Sequence, residues 1–162
     1  MNKMIQSKNA LTKMYEEKGL IDFEKSIEYR FKDKTFLIKA LSHMSKKGSS
    51  LTSKTENKKL GLIGDKLIDL VNYIDRYDIE ITQGLMDDSR QSKTKNEDFK
   101  QCFDRLGLEK YLFLDPGTSI DTAKNGKNVT SDTIEAIVGA IFLDSNKNFE
   151  TVSHIVKKKI LK

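Results

Sequence analysis

Residues 57–77 read NKKLGLIGDKLIDLVNYIDRY, and residues 131–144 read SDTIEAIVGAIFLD. In the first stretch Leu60, Ile63, Leu67, Val71 and Ile74 recur at helical spacing and form one apolar stripe. Leu62, Ile68 and Leu70 add apolar surface off that stripe, which predicts a central helix covered on several sides. The second stretch is apolar almost throughout. Acidic residues are set into both. Asp65 and Asp69 are one helical turn apart and share a face, with Asp65 roughly opposite the main stripe; Asp132 and Glu135 share a face on the other segment. A carboxylate on such a helix is costly to bury unless a cation or a hydrogen-bond donor meets it.

Working outward, residues 3–18 read as a helix stopped by Gly19, and 20–30 as a short helix or turn. Asp33 is placed to cap a helix through KTFLIKALSH, with Phe36, Leu37, Ala40 and Leu41 on its apolar face. Residues 44–56 have no apolar periodicity and read as a loop, and a polar helix is expected near 82–93. Thr94 and Glu97 form a capping-box pattern for a helix that buries Phe99, Cys102, Phe103 and Leu106 and ends at Gly107. Asp115-Pro116-Gly117 predicts a turn and 117–130 a second loop. Helices at about 131–145 and 148–161 close the chain, the last burying Phe149, Val152, Ile155, Val156 and Ile160. No internal repeat and no linker to a second domain is visible.

Composition narrows the class. The chain has 162 residues, about one domain's worth, with one proline and nine glycines. With 33% charged residues this favours an all-helical domain with short loops over a many-stranded sheet. Cys102 is the single cysteine, which excludes an internal disulfide and any multi-cysteine zinc site and points to a reducing, intracellular setting, cytoplasmic or nuclear. His43 and His154 stand in no metal-ligand spacing. No apolar run approaches the roughly 20 residues that span a bilayer, so no membrane partner is expected. The N-terminus, MNKMIQSKNALTKMYEEKGL, lacks the apolar core of a signal peptide. The net charge of +5 suits a polyanionic partner.

Two readings of the carboxylates stand side by side. Asp132 and Glu135 make a good helix start, with Asp132 as N-cap and Glu135 at N3 reaching back. Alternatively they belong, with Asp65, to a divalent metal site. Mg²⁺ takes oxygen ligands, typically one or two protein carboxylates plus waters and phosphate oxygens. No cysteine or histidine cluster competes for a softer metal.

Several motifs follow one another in order. Asn57-Lys58-Lys59-Leu60-Gly61-Leu62-Ile63-Gly64-Asp65 resembles the Asn-x-x-Leu-Glu-Phe-Leu-Gly-Asp signature of the ribonuclease III family. Asp132, Glu135, Ala136, Gly139 and Ala140 match its Asp-x-x-Glu-Ala-x-x-Gly-Ala motif. Ala40, Leu41, Ser42, His43 and Ser45 resemble its Ala-Leu-(Thr/Ser)-His-x-Ser element; Arg90, Asn96 and Leu106-Gly107-Leu108 are similar to intervening family positions. The match spans roughly residues 27–146.

The resemblance implies an all-α, ribonuclease III-like endonuclease domain over 27–162, preceded by an N-terminal helical extension, 1–26. It implies a metal-dependent endoribonuclease of RNA processing that cuts double-stranded RNA to 5′-phosphate and 3′-hydroxyl products as a homodimer. Carried over, Asp65, Asp132 and Glu135 are ligands of Mg²⁺ or Mn²⁺, with Asp65 and Glu135 the catalytic pair. It gives Lys46, Lys47, Lys58, Lys59, Arg90, Lys93 and Lys95 a role against the RNA backbone, and His43 reads as a structural hydrogen-bonder. No double-stranded-RNA-binding domain is expected beyond residue 162.

The departures point to an alternative. Gly61 stands where the family has its first catalytic glutamate, Lys58 and Gln83 stand at two further glutamate positions, and Leu62 replaces a phenylalanine that docks on the partner. Glu56 is the nearby acid that could substitute. The alternative is a pseudo-nuclease, the same fold kept as a double-stranded-RNA-binding or dimerisation module.

Overall fold

The two acid-bearing segments become helices of 24 and 16 residues that pack against each other. The computed structural model describes residues 2–43, 53–77, 92–125 and 128–161. In chain order the helices are α1 (Asn2–Glu17), α2 (Leu20–Ser26), α3 (Lys34–Ala40), α4 (Lys54–Tyr77) and α5 (Ser92–Arg105). A 3₁₀ turn (Leu108–Tyr111) leads to α6 (Ile120–Asn125), α7 (Val129–Asp144) and α8 (Phe149–Ile155), which runs on into a π turn (Val156–Ile160). The fold is all-α. A parallel β bridge joins Ser42 and Phe113.

α7 is the central helix: Thr133, Ile134 and the run Ala136–Ile141 are all buried. α4 lies along it and buries Leu60, Gly61, Gly64, Leu67, Ile68 and Val71. Its outer face is open. Leu62 is 73% exposed, Leu70 45%, Ile74 48% and Tyr77 81%, so among the described residues the expected cover on several sides is absent. Apolar periodicity finds a face but not what lies against it.

The first two helices belong to the same core, with Tyr15, Leu20 and Phe23 fully buried. Gly19, at φ +67, turns the chain between α1 and α2 in a conformation that favours glycine. Two buried carboxylates tie the next segment down. Asp144, at the end of α7, accepts from the Tyr29 hydroxyl (2.7 Å) and from the Lys32 and Asp33 N–H groups (2.9 and 2.8 Å). Glu24 accepts from the Phe31 N–H at 2.8 Å. Asp33 caps α3 as expected, accepting from the Thr35 N–H at 2.9 Å. On α3 the structure adds Ile38 to the buried face and leaves Phe36 half-exposed.

Local expectations fail at several helix starts. α4 begins at Lys54, inside the stretch read as a loop, and α5 begins at Ser92, so Thr94 is its third residue rather than its cap. Residues 120–125 are helical, not loop: Ser119 Oγ accepts from the Thr122 N–H (3.1 Å), and Ala123 is buried. Asp115-Pro116-Gly117 forms the expected turn, closed by the Thr118 N–H on the Asp115 carbonyl at 3.0 Å. The polar helix expected near 82–93 lies, up to residue 91, outside the described residues. Among the described residues no helix is long and apolar enough to cross a membrane.

Candidate functional site

α4 and α7 cross on two glycines. A Cβ on Gly64 would fall 1.8 Å from the Glu135 carbonyl oxygen, and one on Gly139 would fall 2.1 Å from the Leu60 carbonyl oxygen. The backbones therefore touch, and only glycine fits at either point. A glycine inside a helix costs roughly 1 kcal/mol against alanine, and the close approach gives that cost a structural reason. Because Gly64 lies against Glu135, its neighbour Asp65 is delivered to the same place.

Beside the crossing is a cavity of about 280 Å³ lined by Lys58, Gly61, Leu62, Asp65, Asp132 and Glu135. Positions 58, 61, 62 and 65 are i, i+3, i+4 and i+7 of α4, one continuous face. Positions 132 and 135 face them from α7. The three carboxylates singled out in the sequence are thus brought together; Asp69, a turn further on, does not line the cavity. Gly61 points into it too. A Cβ there would sit 3.9 Å from the Glu135 Cβ and 4.0 Å from its Oε2, at ordinary contact distance.

The capping reading of Asp132 and Glu135 is corrected. α7 starts three residues earlier, at Val129, with Asn128 as N-cap in the left-handed region at φ 53. Asp132 is the fourth helical residue and its N–H donates to the Asn128 carbonyl at 2.8 Å. Neither carboxylate has a cap to make.

Burial pushes the Asp132 carboxyl above its usual range, and the charges of Lys58 and Lys54 partly offset this. Asp65 accepts a hydrogen bond from the Lys66 ammonium at 3.0 Å. Glu56 does not replace the missing acid: it pairs with Lys59 at 2.6 Å and Lys39 at 3.6 Å, away from the cavity. Among the described residues no three His, Cys, Asp or Glu side chains form a ready-made metal cage. The donors that do converge are hard carboxylate oxygens with no nitrogen or sulfur among them, which fits an ion that keeps several of its waters, as Mg²⁺ does.

Of the predicted cationic set, Lys58 lines the cavity and Lys59 is held on Glu56. Lys93 and Lys95 lie on α5. Lys46, Lys47 and Arg90 lie outside the described residues. A larger cleft of about 650 Å³, between α1 and the 3₁₀ turn, contains Lys18, but that ammonium is spent on the Lys110 and Leu112 carbonyls.

His43 is structural, as expected. Its Nε2 lies 2.8 Å from Thr133 Oγ1, whose own proton goes to the Val129 carbonyl at 2.6 Å. The hydroxyl therefore accepts from Nε2–H, which pins the first turns of α7 beside Asp132. Thr133 had no signal in the sequence beyond its place between the two acids. Burial, helped by the Lys54 charge, pushes the His43 pKa down to about 4. The unfolded chain binds this proton below about pH 6.5 and the folded one only below about 4. Stability from this group is therefore complete above pH 6.5 and falls between pH 6.5 and 4, by about 3 kcal/mol at most. Urea melts across that range, for the parent and His43→Gln, should show a steeper loss of stability on acidification in the parent.

The chain is thus an all-α domain with an acidic cavity beside a glycine-mediated helix crossing. The Ribonuclease-III-like family model matches residues 33–162, and the chain belongs to that family. It is 31% identical over 143 residues to Ribonuclease 3 of a Nitratiruptor species, covering 87% of this chain and 60% of that one. It is 33% identical over 135 residues to Ribonuclease 3 of Aliivibrio fischeri, covering 82% of this chain and 57% of that one. The chain therefore spans less than two thirds of these relatives' length. The nuclease domain of ribonuclease III from Campylobacter jejuni, in a structure concerned with flexibility in its dimer-forming region, superposes with a TM-score of 0.71 at 30% identity, over 85% of this chain and 93% of that one.

Proposed function

We propose that this chain is a metal-dependent endoribonuclease domain that cuts double-stranded RNA, leaving 5′-phosphate and 3′-hydroxyl ends. The observation that carries the reading is the convergence of Asp65, Asp132 and Glu135 on one cavity at the α4–α7 crossing. In this reading these three would hold Mg²⁺ or Mn²⁺. A metal bound there supplies an activated water and stabilises charge on the phosphate. Glu135 and Asp132, on the central helix, fix the position. Asp65 must exchange its contact with Lys66 to complete the set. Residues 1–26 are a helical extension on a nuclease domain of residues 27–162.

Gly61 favours the second reading, a pseudo-nuclease that binds duplex RNA without cutting it. It leaves open the space next to Glu135 where the family's glutamate would project. A gel assay of labelled duplex RNA with Mg²⁺, Mn²⁺ or EDTA separates the two: metal-dependent cleavage supports the enzyme, and binding without cleavage supports the module. Gly61→Glu is expected to raise single-turnover cleavage at limiting Mg²⁺ by roughly tenfold or more, since even a residue supporting a metal ligand is typically worth 10–100-fold. An unchanged rate with the fold intact would mean the site is organised around the glycine.

The reading includes a homodimer. Leu62, Leu70, Ile74 and Tyr77 lie at helical spacing along the open face of α4, beside the cavity that Leu62 also lines. Two-fold pairing through this face would set two sites on opposite strands of one duplex. Sedimentation at micromolar concentration is expected to show the dimer, and Leu70→Glu with Ile74→Glu to dissociate it.

A further inference from the structure

We propose that Lys58 holds a backbone phosphate of the duplex inside the carboxylate cavity, so that the site binds RNA before any metal arrives. The inference rests on the nuclease reading above and concerns what this chain does at the cavity mouth.

Three carboxylates and one ammonium line the cavity. A phosphodiester brought among three carboxylates meets charge of its own sign, so something positive must accompany it. Of the neighbouring lysines, Lys59 is engaged with Glu56 at 2.6 Å and Lys66 with Asp65 at 3.0 Å, and Lys54, a turn before Lys58, does not line the cavity. Among the described residues no ion pair holds Lys58. It is exposed, on the same face of α4 as Asp65, one turn before Gly61 and Leu62. Gly61 leaves the wall between Lys58 and Glu135 without a side chain, and a Cβ there would have only ordinary contacts. The lysine's four-carbon stem can therefore turn over the cavity unobstructed from that side. Its ammonium is a compact charge with three donors, suited to a phosphate oxygen. In the family's signature this position and position 61 are both acidic. Here one is neutral and the other cationic, which makes the cavity less attractive to cations and more so to a phosphate.

The test uses the full chain and a labelled RNA duplex titrated in EDTA at several salt concentrations. Lys58→Gln is expected to weaken binding by about tenfold or more and to lower the log–log salt slope by roughly 0.7–0.9, one phosphate contact. Lys59→Gln, which removes an equal charge one residue away but outside the cavity, should cost about threefold or less. Adding Glu135→Gln should recover most of the loss in the Lys58 variant and be additive with Lys59→Gln, because only Lys58 shares the phosphate's surroundings with that carboxylate. Equal losses for the two lysines would overturn the proposal and leave the nuclease reading standing. So would tighter binding by Lys58→Gln, which would mean the lysine closes the cavity rather than filling it with phosphate. A parent that binds no duplex in EDTA but does so in Mn²⁺ would also overturn it. A parent that neither binds nor cuts duplex RNA with Mn²⁺ would sink the nuclease reading itself.

Discussion

Gly64→Ala is expected to cost about 3 kcal/mol or more, lowering the melting temperature by roughly 6–12 °C for a domain of this size. The added methyl would lie 1.8 Å from the Glu135 carbonyl oxygen, a backbone atom that no rotamer change can move. Relief requires α4 and α7 to separate along the most extensive helix–helix contact among the described residues. Gly61→Ala, three residues earlier on the same helix, should do the opposite. Its methyl meets nothing nearer than 3.9 Å, and alanine is favoured over glycine in a helix by about 1 kcal/mol. A thermal melt of both variants decides it. If Gly64→Ala melts with the parent, the helices do not cross as described.

That pair of glycines also marks where the sequence stops being informative. Apolar spacing places α4, because burying one side of a helix imposes a 3.6-residue period, and α7 is legible as a buried helix because it is apolar almost throughout. Asp33, Gly19 and Gly107 are legible because each acts on its own neighbours: a side chain on a nearby N–H, or a φ of +67 or +56 that favours glycine. The start of α7 is not. Asp132 is as good a capping residue as Asn128 by type and has Glu135 three residues on, yet burying Val129, 5% exposed, extends the helix back past it. Tertiary burial overrides a local preference worth about 1 kcal/mol. Similarly, 117–130 looks polar enough for a loop, and one buried alanine with a serine cap is enough to make a helical turn there.

For the site, spacing shows that Asp65 has one face and that Asp132 and Glu135 share another. That the two faces meet depends on the crossing, which is made by Gly64 and Gly139 against the Glu135 and Leu60 backbones and by no acidic side chain. The motif order supplied what spacing lacked, by placing both segments in one family. The uncovered side of α4 has the same origin. Leu62, Leu70 and Ile74 look like core in a linear sequence and are exposed in the structure.

The second large effect is expected from Glu135→Gln: duplex cleavage with Mn²⁺ should fall by about 100-fold or more, while the fold is kept. The substitution conserves shape and removes one charge. Glu135 is half-buried, and its side chain faces the open Gly61 position rather than the packed side of α7, where Ala136 to Ile141 make the core. Stability should stay within about 1 kcal/mol of the parent, because the amide keeps the side chain's shape and the residue is not part of the packed core. Removing one of three like charges from the cavity leaves less self-repulsion, so any shift should be upward. Duplex binding in EDTA should hold or tighten for the same reason, which separates a lost metal ligand from a lost RNA surface. Asp132→Asn should behave alike, and Lys66→Gln should not, since Lys66 only occupies Asp65 until the site is filled. Cleavage by Glu135→Gln at the parent rate would remove the metal assignment. A variant that loses its fold would show instead that this carboxylate is structural, and that Gly61 then faces a support rather than a reacting group.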